Sequence, residues 1–255
     1  MILVDIHCHI DFEDYAKDLD KLIPKWQKLG VKAIINHGVD VAGNRRTLEL
    51  SKKYDVVKPA FGFYPVHCTE VSEAKFDEEL EWIRKQKPIA IGEVGLDYMK
   101  GDDNPHGDKH KDVMKKCFEK FISLAEKRKL PLVAHSRKAE LDMIEMLESS
   151  KLKKVVMHCF TGRKHLVKRI IDNGWSLSIP CVVVKLQQFQ DNVKLAPLSQ
   201  LLTETDCPYL SPYPDIRRNE PAFVIETIKK IAQIKKMDQD EVANNIFMNY
   251  QKMFL

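Results

Sequence analysis

No two cysteines in this chain are spaced as CxxC; the six stand at Cys8, Cys68, Cys117, Cys159, Cys181 and Cys207. That spacing excludes a zinc ribbon and a thioredoxin-type redox motif. No GxGxxG follows an early strand and no GxxxxGKS/T occurs anywhere, so the common phosphate-binding loops are missing too. No apolar run is long enough for a membrane span, and no basic stretch leads into an apolar one at the N-terminus. These absences imply a reduced, cytoplasmic protein with free thiols and no membrane partner. Charge of one sign is also scarce. The 41 Lys and Arg against 37 Asp and Glu leave a net charge of +4, which permits an anionic partner without demanding one. Few of those cations are Arg, so an Arg beside other unusual residues is informative.

What is present is a repeat of short apolar runs and longer amphipathic ones. The strand-like runs are 2–7, 31–38, 56–63, 88–95, 130–136, 154–160, 175–180 and 201–206, matching the length and composition of buried strands. The clearest helix pattern is 108–129, where Val113, Cys117, Phe121 and Leu124 recur at helical spacing opposite Lys and Glu. A last helix is predicted from Asp238, with Glu241 three residues on as a capping pair. Eight strand–helix units in 255 residues is the size of an α/β (β/α)8 barrel. No linker-like stretch divides the chain, so residues 1–255 read as one domain. The alternative, an open doubly wound sheet, lacks its fingerprint loop. The segment 181–198 is hard to read, and the Gly-, Asp- and Pro-rich stretch 96–110 is long enough to carry function at the barrel mouth.

Barrel enzymes do their chemistry at the C-terminal ends of the strands. His7 and His9 close the first strand in DIHCHID, and their alternation puts both imidazoles on one face. Glu93 falls near the end of the fourth strand, His135 ends the fifth, His158 the sixth and Asp206 the eighth. Each has a bland reading alone: HxH is a short motif, a lone His is often a hydrogen-bonded core residue, and Asp206 precedes a Cys-Pro turn. A carboxylate inside the apolar fourth strand is costlier to explain away. Only the barrel brings all six to one rim. Four imidazoles and two carboxylates exceed what one tetrahedral ion uses, so two divalent ions sharing a carboxylate are expected. Such a site would attract phosphate.

These residues resemble the TatD family of metal-dependent deoxyribonucleases, within the amidohydrolase superfamily. The likeness runs through DIHCHID, IGEVGLDY, PLVAHSRKA, MHCFTG, LLTETDCPYLSP and RRNEPA (217–222), in order along nearly the whole chain. It implies a TIM-type barrel, two metals at the C-terminal ends of the strands, and hydrolysis of DNA phosphodiesters. Carried over by position, His7, His9 and Asp206 would bind one metal, His135 and His158 the other, and Glu93 would bridge them. Asp206 and Glu93 would act in catalysis, with Asp206 orienting or deprotonating the water. The ion could be Mg, Mn or Zn.

Further roles are expected by position. Asp5, Asp11, Asp97 and Glu204 could hold the free ring nitrogens of metal-bound imidazoles. Arg137, Arg218 and Asn219 are candidate substrate contacts, Arg218 and Asn219 because they open the last barrel helix. Phe63, Tyr64 and Tyr98 could stack on bases. Cys8 and Cys159 read as core fillers. In one departure, GFYPVH places Tyr64 where the family usually has the histidine of G-x-H-P. The competing enzyme reading is a metal-dependent hydrolase of a small ester, amide or phosphoester. A binding protein with structural metals is disfavoured because no thiolate joins the ligand set.

Overall fold

The computed structural model describes residues 1–102 and 104–255. Eight parallel strands form one sheet in the order β1 to β8: Leu3–Cys8, Val31–His37, Val57–Phe61, Ala90–Asp97, Leu132–Arg137, Val155–Met157, Ser176–Pro180 and Leu201–Glu204. The sheet curls so that β8 meets β1. Thr203 Oγ1 donates to the Val4 carbonyl at 2.6 Å, and the Asp206 N–H donates to the His7 carbonyl at 3.0 Å. The result is the (β/α)8 barrel expected from the pattern.

Nine α-helices are assigned among the described residues: α1 Leu19–Lys28, α2 Val41–Lys53, α3 Glu73–Lys85, α4 Lys111–Arg128, α5 Glu140–Glu148, α6 Lys164–Asp172, α7 Gln187–Leu195, α8 Val224–Lys235 and α9 Gln239–Phe254. Local chemistry starts several of them. Asp40 caps α2 through the Gly43 N–H, and Asp238 caps α9 by accepting from Asp240 and Glu241. The unreadable segment 181–198 resolves into a 3-10 turn, Cys181–Val184, followed by α7. No helix among the described residues is long and apolar enough to cross a membrane.

The α4 pattern needs one correction. Its buried face carries Met114, Cys117, Phe118, Phe121, Ile122 and Ala125, whereas Val113 is 43% exposed. At 3.6 residues per turn Val113 lies about 100° from the centre of that arc. The i, i+4, i+8 row 113–117–121 runs obliquely across the stripe, from Val113 beyond its edge to Phe121 near its middle.

Two glycines set how closely the strands near the fourth can approach. Gly95 has φ +147°, and a β-carbon there would run into the His135 carbonyl oxygen. At Gly62 it would stand 2.5 Å from the Glu93 carbonyl oxygen. Only glycine fits both places, and both contacts lie against strands that carry candidate ligands.

Candidate metal centre

β1 presents His7, and His9 follows one residue beyond the strand, both buried. Asp206 lies two residues past β8 with φ +55°, a left-handed conformation that Asp tolerates better than most side chains. The His9 N–H in turn donates to the Cys207 carbonyl at 2.8 Å, so the first and last strands fix each other's loops. Glu93 departs from expectation. It sits in the middle of β4, not near its end, and reaches the mouth because the side chain extends inward.

One Glu93 oxygen, Oε2, is 3.4 Å from His7 Nε2 and 3.4 Å from His9 Nε2. Asp206 Oδ1 stands 3.6 and 3.5 Å from the same two nitrogens. These gaps exceed a good hydrogen bond. Two donors sharing an ion at about 2.1 Å in tetrahedral geometry lie about 3.4 Å apart. Both ring nitrogens of His7 are buried with no hydrogen-bond partner, and a buried orphan of this kind calls for one. The donor atoms of His7, His9 and Asp206, and those of His7, Glu93 and His158, each fall within 4.8 Å of one another. This donor set fits divalent cations.

The other Glu93 oxygen faces β5 and β6. Oε1 is 2.8 Å from His135 Nδ1 and 3.8 Å from His158 Nε2. Behind each of these rings stands a carboxylate. Glu204 Oε2 is 2.7 Å from His158 Nδ1, and Asp97 Oδ2 is 3.4 Å from His135 Nε2. Glu204 is itself held by Ser178 Oγ at 2.6 Å and the Cys159 N–H at 2.9 Å. Such partners fix ring orientation and raise ligand basicity. Burial alone would lower the His158 pKa, yet the Glu204 carboxylate outweighs it and lifts the ring to about 9. His7 goes the other way: burial, then His158 and His37, hold it well below the usual imidazole range. Glu93 is held well below the usual carboxylate range, since His7 and His135 outweigh the burial that opposes ionisation.

The remaining expectations divide. Asp97 and Glu204 touch imidazoles, but Asp5 and Asp11 do not. Asp5 accepts from the His7 and Thr205 N–H groups and the Thr205 hydroxyl, sewing β1 to β8. Asp11 accepts from Asn36 at 3.0 Å and pairs with Arg46. Arg218 forks onto Asp18 at 3.0 and 2.8 Å and also donates to the Asp14 carbonyl, well before α8 begins. Asn219 is fully buried, and its Nδ2 donates to the carbonyls of Thr205, Tyr209 and Leu210. Both side chains are thus engaged by neighbouring loops, and neither lines the cavity over the candidate ligands. Asn219 clamps the loop that carries Asp206. Cys8 is buried as expected, while Cys159, with φ +43°, is half-buried: it packs against the core and also lines the cavity. Phe63 is buried against Phe76, and Tyr98 donates to Asp142, so neither offers a base platform. Three contributors went unread in the sequence: His37, stacked 4.1 Å from His7, Ser178 behind Glu204, and the 2.6 Å bond from the Tyr64 hydroxyl to Asp97. His37 could have been found, because it too ends a strand.

Above the candidate ligands opens a cavity of about 770 Å³ lined by His9, Glu93, His135, His158 and Asp206 at its base and by Arg137 on its wall. Asp102, from the long segment after β4, overhangs it as anticipated.

A family model described as TatD related DNase matches residues 4–255. The chain is 34% identical to an uncharacterized metal-dependent hydrolase, YabD, of Bacillus subtilis, covering 99% of each. It is 31% identical to the human Deoxyribonuclease TATDN3, over 99% of this chain and 94% of that one. It is 28% identical to a protein of Erwinia tasmaniensis named 3'-5' ssDNA/RNA exonuclease TatD, over 99% of each. Among solved structures, YJJV, a TatD homolog from Escherichia coli, superimposes with a TM-score of 0.89 at 24% identity, over 99% of this chain and 97% of that one.

Proposed function

Because the chain belongs to the TatD related DNase family, we propose that it is a divalent-metal-dependent hydrolase that cleaves DNA phosphodiester bonds with water activated at two ions. The observation that carries this reading is the division of Glu93: one oxygen faces His7 and His9 at 3.4 Å, the other faces His135 and His158 at 2.8 and 3.8 Å. A carboxylate shared in this way suits two neighbouring cations better than one. His7, His9 and Asp206 would hold one ion, and His135 and His158 the other. Bound divalent ions supply Lewis acidity and lower the pKa of water. Imidazole with carboxylate admits Zn, Mn or Mg.

The chain's own residues then have defined tasks. Asp206 borders the cavity with its side chain part-exposed, where it can orient water and accept its proton. Arg137, its side chain 49% exposed and 3.9 Å from Asp97, can fork onto a phosphate oxygen. DNA is the partner this reading names, and single strands are the first form to test. Six free cysteines, five of them buried, suit a reducing compartment such as the cytoplasm.

The test is incubation of metal-replenished protein with end-labelled single- and double-stranded DNA, beside a Glu93→Ala control. Cleavage by the native protein that vanishes in the variant is expected. Cleavage equal in both would assign it to a contaminant and remove the reading.

A further inference from the structure

The cavity has two unlike halves. The ends of β3 to β6 and the segments after them contribute Tyr64, His67, Glu70, Asp102, Arg137 and Thr161. Loops after β7, β8 and β1 contribute Val182, Leu186, Phe189, Tyr209, Leu210 and Phe12. We propose that this second, apolar half is a nucleobase subsite, with Phe12, Leu186 and Tyr209 holding the base of the nucleotide whose phosphodiester lies over the metal ligands. The proposal rests on the nuclease reading above and names what that reading leaves open, namely how a nucleic acid is gripped.

Charge gives the first argument. Arg137 is the one Lys or Arg among the described residues lining the cavity, and Glu70 and Asp102 stand with it on the rim. A surface that follows a polyanion over many nucleotides needs a cation for each phosphate it contacts. This cavity can serve one or two. The rest of the grip must come from groups that bind something other than phosphate. Stacking on aromatic faces fills that role and is tolerant of base identity.

Exposure and rigidity give the second. Tyr209 is 55% exposed and Leu186 49%, and apolar side chains held out along one cavity wall mark a ligand groove. Phe12 and Tyr209 are not loosely held. The Phe12 ring lies nearly parallel to His9, with centroids 5.0 Å apart and 16° between planes. Tyr209 meets Phe12 edge-on at 6.3 Å. The Tyr209 N–H donates to the Asp206 carbonyl at 3.0 Å. The single buried amide of Asn219 accepts the load of that loop through the Thr205, Tyr209 and Leu210 carbonyls. One clamp thus fixes the acid beside the ligands and the aromatic wall three residues on, so that a base seated on the wall is in register with its own phosphate. A wall set in advance loses little ordering entropy when it binds.

Short single strands carrying either the fluorescent base 2-aminopurine or an abasic tetrahydrofuran, at each end in turn and internally, separate the possibilities. They are given to the metal-loaded native protein, to a Tyr209→Ala, Leu186→Ala double variant, and to Tyr209→Phe. At one position the native protein is expected to quench 2-aminopurine and to prefer the base-bearing strand about 5- to 150-fold in kcat/KM, equivalent to about 1–3 kcal/mol of stacking. In the double variant that preference should collapse to within about twofold, while Tyr209→Phe, which keeps the ring face, should retain it. Metal content of each variant shows that the centre itself is intact. Base-bearing and abasic strands cleaved alike by the native protein would overturn the subsite and leave the nuclease reading standing. So would a preference that survives in the double variant. Quenching without cleavage of any strand supports the subsite and overturns the nuclease reading instead.

Discussion

The β1 side of the metal centre and its β5–β6 side hold their imidazoles by different means. On the β1 side, His9 Nδ1 meets only the His37 carbonyl at 3.0 Å, and His7 Nδ1 meets nothing, its ring stacked between His37 at 4.1 Å and His158 at 3.6 Å. On the other side each ring has its own carboxylate, Glu204 for His158 and Asp97 for His135. Stacking fixes His7 and a backbone carbonyl orients His9, whereas carboxylates back the other two rings. A stacked neutral ring such as His7 is ready to bind a cation, whereas a ring backed by a carboxylate is a more basic ligand that must first shed a proton. The two sides should therefore differ in affinity and in pH response, although Glu93 joins them.

Breaking the joint should cost most. Glu93→Ala removes a group that faces all four histidines. Metal content should fall on both sides, and DNA cleavage by at least about 10²–10³-fold, the scale for loss of a central electrostatic group. Elemental analysis of the purified variant beside its cleavage rate checks this; a variant that keeps both ions would sink the bridging role. Asp206→Asn comes next and touches the β1 side alone. An amide can still coordinate weakly but cannot take a proton. Turnover should drop about 10²–10⁴-fold with metal content nearly kept. Parallel loss of both would make Asp206 a plain ligand.

The pH response sharpens the contrast. His9 is pulled well above the usual range, against burial, by Asp206 and Glu93. Those are the same carboxylates a cation would engage. His158 is lifted to about 9 by Glu204 against the pull of burial, and Glu204 is no ligand, so its influence persists. In the metal-free protein this raised pKa stabilises the fold fully below about pH 6.5, and the benefit is lost as pH rises through about 9. Metal uptake has the opposite slope, since the cation needs the neutral ring. Calorimetric titration should show affinity on this side growing, with proton release, as pH climbs toward 9. Glu204→Gln should flatten that slope and cost about 10–100-fold in affinity. An unchanged slope would show that Glu204 does not set the proton's hold.

Much of this contrast is written in the sequence, and the unwritten part has a physical cause. Strand ends are legible because polar residues such as His135 and His158 interrupt short apolar runs, and a carboxylate at Glu93 stands out inside an apolar strand. What a polar side chain spends its hydrogen bonds on depends on contacts distant in sequence. Arg218 looks like a phosphate ligand until it meets Asp18, 200 residues away, and Asn219 until it meets three carbonyls of the preceding loop. Cys159 defeats strand alternation because it lies past β6 with φ +43°, outside extended-strand geometry. The edge of a helical stripe, as at Val113, is likewise set by what packs against it rather than by its own spacing.

Tyr64 offers the finest cut between the two sides, and the smallest effect. Its hydroxyl donates to Asp97 Oδ2 at 2.6 Å, the same oxygen that lies 3.4 Å from His135 and 3.9 Å from Arg137. Burial and the neighbouring Asp97 push the phenol well above its usual range, so it remains a donor at any working pH. Tyr64→Phe removes that bond while the ring still packs 5.0 Å from His135. Asp97 keeps its other tether, the Met99 N–H at 2.9 Å to Oδ1, so the carboxylate should shift without being released. A hydrogen bond to a charged group is worth about 1.5–3 kcal/mol, and the retained tether should reduce the loss to the lower end, about tenfold in affinity for the β5–β6 ion. The β1 side, which Asp97 does not touch, should bind as before. Equal weakening of both sides in stepwise metal titration would mean that Tyr64 supports the barrel mouth as a whole, and that the division between packing and charge does not extend to this residue.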